Sequence, residues 1–175
     1  GNYGVALLND CKYGYDVHDN VMRLTLLRAA RDPGRNADVN MTHRFTYALL
    51  PHEGDFTHGV VRAGYELNVP VLAQPVEKSD GTLAGAGSFL SISGDNVVID
   101  TVKKAEDERA IIVRLYEAHG WRSRHTLTSA FQPVRIVETD LMEREERAIE
   151  HRSGVFDLEF SPFQIRTVKL VLPDP

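Results

Sequence analysis

The densest group of chemically capable side chains in this sequence is Asn9-Asp10-Cys11-Lys12-Tyr13-Gly14-Tyr15-Asp16. Carboxylates, an ammonium group and two phenols in one short run can hydrogen-bond hydroxyl groups, and aromatic faces suit sugar C–H surfaces. The run follows the apolar stretch Gly4 to Leu8, which places it on a loop at a strand end. A second reading stands beside the first: a tight hairpin in which Gly14 supplies an unusual backbone angle. Cys11 would act as a nucleophile only with a lowered pKa and a histidine brought close in space, and no spacing here provides one.

His52, Glu53, Asp55 and His58 form a second cluster, and imidazole with carboxylate suits zinc. Their spacing matches neither a strong ligand pattern nor the two-histidine helical arrangement of zinc proteases. The expectation is therefore structural, with Asp55 capping the helix that follows. The remaining histidines have no regular spacing. With 25 acidic residues, carboxylate pairs arise by chance, so none identifies a glycosidase dyad. Gly85-Ala86-Gly87 is a lone and weak match to a phosphate loop.

Two-residue alternation predominates in the elements that must carry these groups. Phe45, Tyr47 and Leu49 share one strand face. Met22, Leu24 and Leu26 alternate with Arg23, Thr25 and Leu27, which predicts a strand covered on much of both faces. Ile111, Val113 and Leu115 oppose Ile112, Arg114 and Tyr116. Phe156, Leu158 and Phe160 oppose Val155, Asp157 and Glu159, and Val168, Leu170 and Leu172 close the chain against Thr167, Lys169 and Val171. Many short strands with turns between them predict an all-β, antiparallel sandwich. Three- and four-residue spacing through Val60, Val61, Gly64 and Leu67, with Pro70 beyond, predicts one short helix near Asp55 to Asn68. The stretch Glu138 to Arg152 is helical by propensity alone, and its periodicity is ambiguous.

Between Ala73 and Ser88 the composition shifts to Gly, Ala, Ser, Pro and charge, with a turn at Ser79-Asp80-Gly81. This divides the chain into residues 1–72, a linker over 73–88, and residues 89–175. The chain opens on an apolar strand with no lead, which predicts that a larger protein continues upstream.

At 175 residues the chain is long enough to bury a core, and 42% hydrophobic with 26% charged is globular composition. Twenty basic against 25 acidic residues give −5 without basic clustering, so no nucleic-acid footprint exists. No run approaches the ~20 apolar residues of a membrane span, and Gly1-Asn2-Tyr3-Gly4 lack the positive and apolar regions expected of a signal peptide. One cysteine excludes paired-cysteine zinc sites and fits a reducing, cytoplasmic compartment.

The segment Gly4-Val5-Ala6-Leu7-Leu8-Asn9-Asp10-Cys11-Lys12-Tyr13-Gly14 closely resembles the family 38 α-mannosidases, nearest their cytosolic and bacterial branch. The resemblance continues through Leu24-Thr25-Leu26-Leu27-Arg28, Phe45-Thr46-Tyr47-Ala48-Leu49 and Pro51-His52-Glu53-Gly54. It resumes at Val113-Arg114-Leu115-Tyr116-Glu117-Ala118-His119-Gly120 and ends at Phe160-Ser161-Pro162-Phe163-Gln164. It implies the end of a galactose-mutarotase-like supersandwich, then a small terminal β-sandwich, with strands and turns through Glu138 to Arg152. It also implies retaining hydrolysis of α-mannosides by an aspartate nucleophile, with zinc held by an N-terminal catalytic barrel upstream of Gly1. No position here matches that nucleophile or those ligands, so this chain is expected to contribute no catalytic residue and no metal ligand. Asp10, Lys12, Tyr13 and Arg28 are the expected substrate-rim residues. The implied partners are the parent's own barrel and a mannose-containing oligosaccharide, with room for a homo-oligomer. The alternative is an independent carbohydrate-binding or subunit-contact module.

Overall fold

The computed structural model describes residues 2–28, 42–78, 80–81 and 85–174. Contacts divide the chain into two units, Gly1–Val76 and Glu77–Pro175. Ser79, from the expected turn, lies outside the described residues.

In the first unit β1 (Tyr3–Asn9) pairs antiparallel with β4 (Tyr47–Glu53), from Tyr3 opposite Glu53 to Asn9 opposite Tyr47. β2 (Tyr15–His18) and β3 (Val21–Leu24) form a hairpin closed over Asp19-Asn20, with Asp19 in the left-handed region at φ 53°. That angle is tolerated by the short polar Asp side chain. The helix α1 (Val60–Asn68) follows β4, with apolar Val60, Val61, Gly64 and Leu67 on one side.

Three expectations are corrected here. The strand expected through Leu26 and Leu27 stops at Leu24, and its residues are not covered: Val21 is 45% and Met22 40% exposed. The expected helix begins at Val60, not near Asp55. Its N-cap is Gly59, and the Asp55 carboxylate accepts from Thr57 N and Oγ1 instead. Asp55 thus closes a local turn, an arrangement that competes directly with capping. No described residue of this unit is fully buried, so strand β1, apolar by sequence, is only half covered.

The second unit has its own core. Five strands run in the order β10 (Glu145–Ala148), β9 (Arg135–Thr139), β12 (Ile165–Val171), β7 (Ala110–Glu117), β6 (Val97–Lys104). Three more run β11 (Val155–Phe160), β8 (Ser123–Ser129), β5 (Leu90–Ile92), and every pairing is antiparallel. Val113, Leu115, Leu127, Ile136, Phe156, Leu158, Phe160, Val168 and Leu170 form one buried cluster. Alternation explains it, because successive strand side chains point to opposite faces. Phe156, Leu158 and Phe160 are buried while Val155, Asp157 and Glu159 are exposed, as their period requires. The stretch Glu138 to Arg152 folds as the end of β9, a turn and β10, with a register shift between Glu145 and Arg147. Pairing with β9 overrides its helical propensity.

On β12 both faces are covered. Thr167 and Lys169 lie opposite the core face and are 2% and 1% exposed. Lys169 Nζ lies 3.2 Å from Asp107 Oδ1 and Glu108 Oε1 and 3.9 Å from Glu145 Oε1. Desolvation pushes its pKa down, and the Glu108 and Asp107 carboxylates overcome this and hold it above the usual lysine value. No described helix is long and apolar enough to cross a membrane.

Candidate functional site

The loop after β1 is positioned by side chains that fold back on the backbone. Asn9 Oδ1 accepts from Lys12 N at 2.8 Å, turning the chain immediately. Asp10 Oδ1 accepts from Thr46 N at 2.9 Å, and Asp10 N donates to Thr46 O at 3.2 Å. The carboxylate therefore fastens the loop to the segment entering β4. The Thr46 backbone bond chiefly, aided by the Cys11 thiol and the Thr46 side chain, holds its pKa below the ordinary value.

Lys12 Nζ sits 5.0 Å from the Phe45 ring centroid, a cation–π distance. Tyr13 is 84% exposed. Asp10, Lys12 and Tyr13 thus share one loop, with Asp10 and Lys12 engaged by residues 45 and 46 and Tyr13 presented to solvent. Arg28 is exposed, in irregular backbone beyond the end of β3 rather than at a strand terminus. Gly14 has no left-handed backbone angle. Its requirement is space: a Cβ there would come within 3.1 Å of Thr25 Cβ, and Gly14 O accepts from Thr25 N at 2.7 Å. The hairpin reading of Gly14 is corrected accordingly.

Cys11 is exposed, and its hydrogen bond to Asp10, with slight desolvation, pushes its thiol pKa up. That opposes the thiolate a nucleophile needs. His52 and His58 are occupied locally, His52 Nδ1 with Glu53 O at 3.1 Å and His58 Nδ1 with Asp55 Oδ1 at 3.5 Å. Among the described residues no three His, Cys, Asp or Glu side chains are grouped so as to hold a metal ion.

Sequence reasoning missed a carboxylate that four hydrogen bonds hold. Glu117, at the end of β7, is fully buried. Its Oε1 accepts from His119 N at 2.9 Å and Asn96 Nδ2 at 3.0 Å, and its Oε2 from Gly120 N at 2.8 Å and Phe163 N at 2.9 Å. Desolvation raises its pKa, but the bonds from Phe163, Asn96 and His119 outweigh it and hold the carboxyl at about 2. The carboxylate ties the turn after β7 to the turn before β12. Gly120, at φ 80°, approaches the Phe163 ring so closely that a Cβ would lie 2.8 Å from Cζ. Phe163 itself sits at φ 57°, a costly angle for a bulky residue. The available signal was that Glu117 and Phe163 fall in the two family-like motifs of this unit.

Two family models match the chain. The family 38 glycosyl hydrolase C-terminal β-sandwich domain matches residues 96–168, and the family 38 C-terminal domain matches residues 1–36. Human α-mannosidase 2C1 is 42% identical over 99% of this chain. α-Mannosidase G of Dictyostelium discoideum is 31% identical over 97% of it, and α-mannosidase of Saccharomyces cerevisiae 32% over 95%. The chain spans only 16–17% of the length of these relatives. A crystal structure of a family 38 glycosyl hydrolase from Enterococcus faecalis superposes with a TM-score of 0.74 at 20% identity, covering 97% of this chain and 21% of that one. With motifs, family models and fold in agreement, the chain belongs to glycoside hydrolase family 38, as part of its C-terminal β-sandwich region.

Proposed function

We propose that this chain is the C-terminal β-region of an α-mannosidase that removes terminal α-mannosyl residues with retention, and that it supports the catalytic domain of that enzyme. The observation that carries the reading is the near-complete alignment of the chain with enzymes named α-mannosidases. A further observation agrees with a supporting role. The first unit exposes Tyr15, Val17 and Leu49 at 73%, 64% and 65% and has no fully buried described residue. Such a surface fits a partial sandwich completed by other chain of the parent.

Within the proposal the zinc that the family resemblance implies belongs to the upstream catalytic barrel, and among the described residues no three His, Cys, Asp or Glu side chains are grouped to hold it. Within this proposal Asp10, Lys12, Tyr13 and Arg28 stand at the substrate rim. Asp10 holds the loop, the exposed Tyr13 hydroxyl is presented to sugar hydroxyls, and the Lys12 ammonium would have to reach them from its place over the Phe45 ring. The reading of a reducing, cytoplasmic location belongs to the same proposal.

The experiment uses the full-length parent carrying Asp10→Asn or Tyr13→Phe, with melting temperature and steady-state kinetics measured on the same samples. A hydroxyl that binds substrate chiefly in the transition state lowers kcat and kcat/KM together. For Tyr13→Phe the expected loss in kcat/KM is about two- to tenfold, the worth of one hydrogen bond. Unchanged kcat/KM in both variants, with only stability altered, would leave the loop a purely structural staple.

A further inference from the structure

The connection from β10 to β11 crosses from the five-stranded to the three-stranded sheet of the second unit, and a surface groove runs along it. The groove has two adjoining lobes of about 710 and 660 Å³, sharing Arg124, Arg147, Glu159 and Arg166 in their walls. These volumes fall within the range of small-molecule sites.

Its floor is built from paired charges. Arg166 is 6% exposed at its side chain and donates through Nε to Glu138 Oε1 at 2.6 Å and through a terminal nitrogen to Glu159 O at 2.7 Å. Arg147 donates to the other oxygen of Glu138, also at 2.6 Å. Desolvation pushes the Glu138 carboxyl up, yet the two guanidinium groups hold it ionised below its usual value. Arg124 is fixed on Asp157 at 2.8 Å.

Above this floor lie groups with no partner among the described residues. His151 Nδ1 is buried without a hydrogen bond and belongs to the groove wall. Arg122 and Arg152, with Glu146 and Glu150, line the lobes and make no side-chain ion pair among the described residues. The lining balances five arginines against five carboxylates.

The geometry points to a binding site for a neutral oligosaccharide of about two or three sugar rings in this groove. The charge balance is the discriminating observation. An anion would meet as many carboxylates as guanidiniums, and an apolar ligand would desolvate both. A sugar hydroxyl donates and accepts at once, so it satisfies a free carboxylate and a free guanidinium together. The choice of mannose as the sugar rests on the proposed function, whereas the groove and its chemistry do not.

The groove lies wholly in the second unit, which closes its own core, so the test is amide chemical-shift mapping on the 175-residue chain, titrated with α-mannotriose, with maltotriose and, separately, with inorganic sulfate. Saturable shifts at residues 122–124 and 146–152 are expected with either sugar, at a Kd on the order of 1 mM. Both Arg122 and Glu146 are exposed, so Arg122→Ala and Glu146→Gln should keep the melting temperature while each weakens binding about five- to tenfold. Saturable binding of maltotriose but not mannotriose supports the groove and counts against the mannose assignment alone. No shifts with either sugar at about 50 mM, or shifts that persist in both variants, overturn the site. Sulfate producing the same shifts at lower concentration overturns it as well, since the groove is then an anion site.

Discussion

Glu117 shows how one side chain can hold two distant turns. Its carboxylate accepts from backbone groups at residues 119, 120 and 163 and from Asn96 in a site with no exposure. Because its folded-state pKa lies near 2, below the ordinary 4.5, the stabilisation is complete above about 4.5 and is lost as pH falls towards 2. Replacing Glu117 with Gln removes the charge and turns an amide N–H₂ toward backbone donors. We expect a loss on the order of 3 kcal/mol at about pH 7, shrinking toward zero at about pH 2. Urea melts of both proteins at the two pH values check this, and a pH-independent difference would contradict it. Asp10 works by the same logic in the open: its bond to Thr46 N fixes a loop rather than burying a charge. Neither role was legible as a role. Asp10 stood out by its polar neighbours, but its partner is 36 residues away, and Phe163 is 46 residues from Glu117. Local spacing carries no record of such pairings.

The strands differ in how plainly they announce themselves, and burial explains the difference. Leu158 on β11 is 1% exposed and Leu49 on β4 is 65% exposed, though both follow an alternating pattern. Leu158→Ala should therefore destabilise the chain by about 2–5 kcal/mol, through lost burial and a cavity. Leu49→Ala should change it by less than about 0.5 kcal/mol. Chemical denaturation of the 175-residue chain measures both, and equal losses would contradict the contrast. β11 and β7 were readable because the faces they bury are covered within this chain. β3 is shorter and less covered than its alternation predicts, because the sequence shows apolar residues without showing what covers them. The helix was placed by its period, but its start was not, since Asp55 spent its carboxylate on Thr57. The stretch through β10 needed the family resemblance, because pairing with β9 at Val137, Glu138 and Thr139 decides it and propensity does not.

At the scale of the molecule, the second unit has a closed core, whereas the first has no fully buried residue among the described ones. The second unit carries the continuous cluster through Leu115, Leu127, Phe160 and Leu170. The first presents apolar strands with only partial cover. The chain spans 17% of the length of its human relative, and the proposal made here gives it the supporting part in a larger α-mannosidase. The measurement that bears most directly on this is a chromogenic α-mannoside assay run in parallel on the full-length parent and on the 175-residue chain, with the product anomer followed by NMR. The account predicts turnover by the parent with the α-anomer released first, and no turnover by the chain alone. Hydrolysis by the isolated chain, or a parent that leaves α-mannosides intact while cleaving another glycoside, would contradict it.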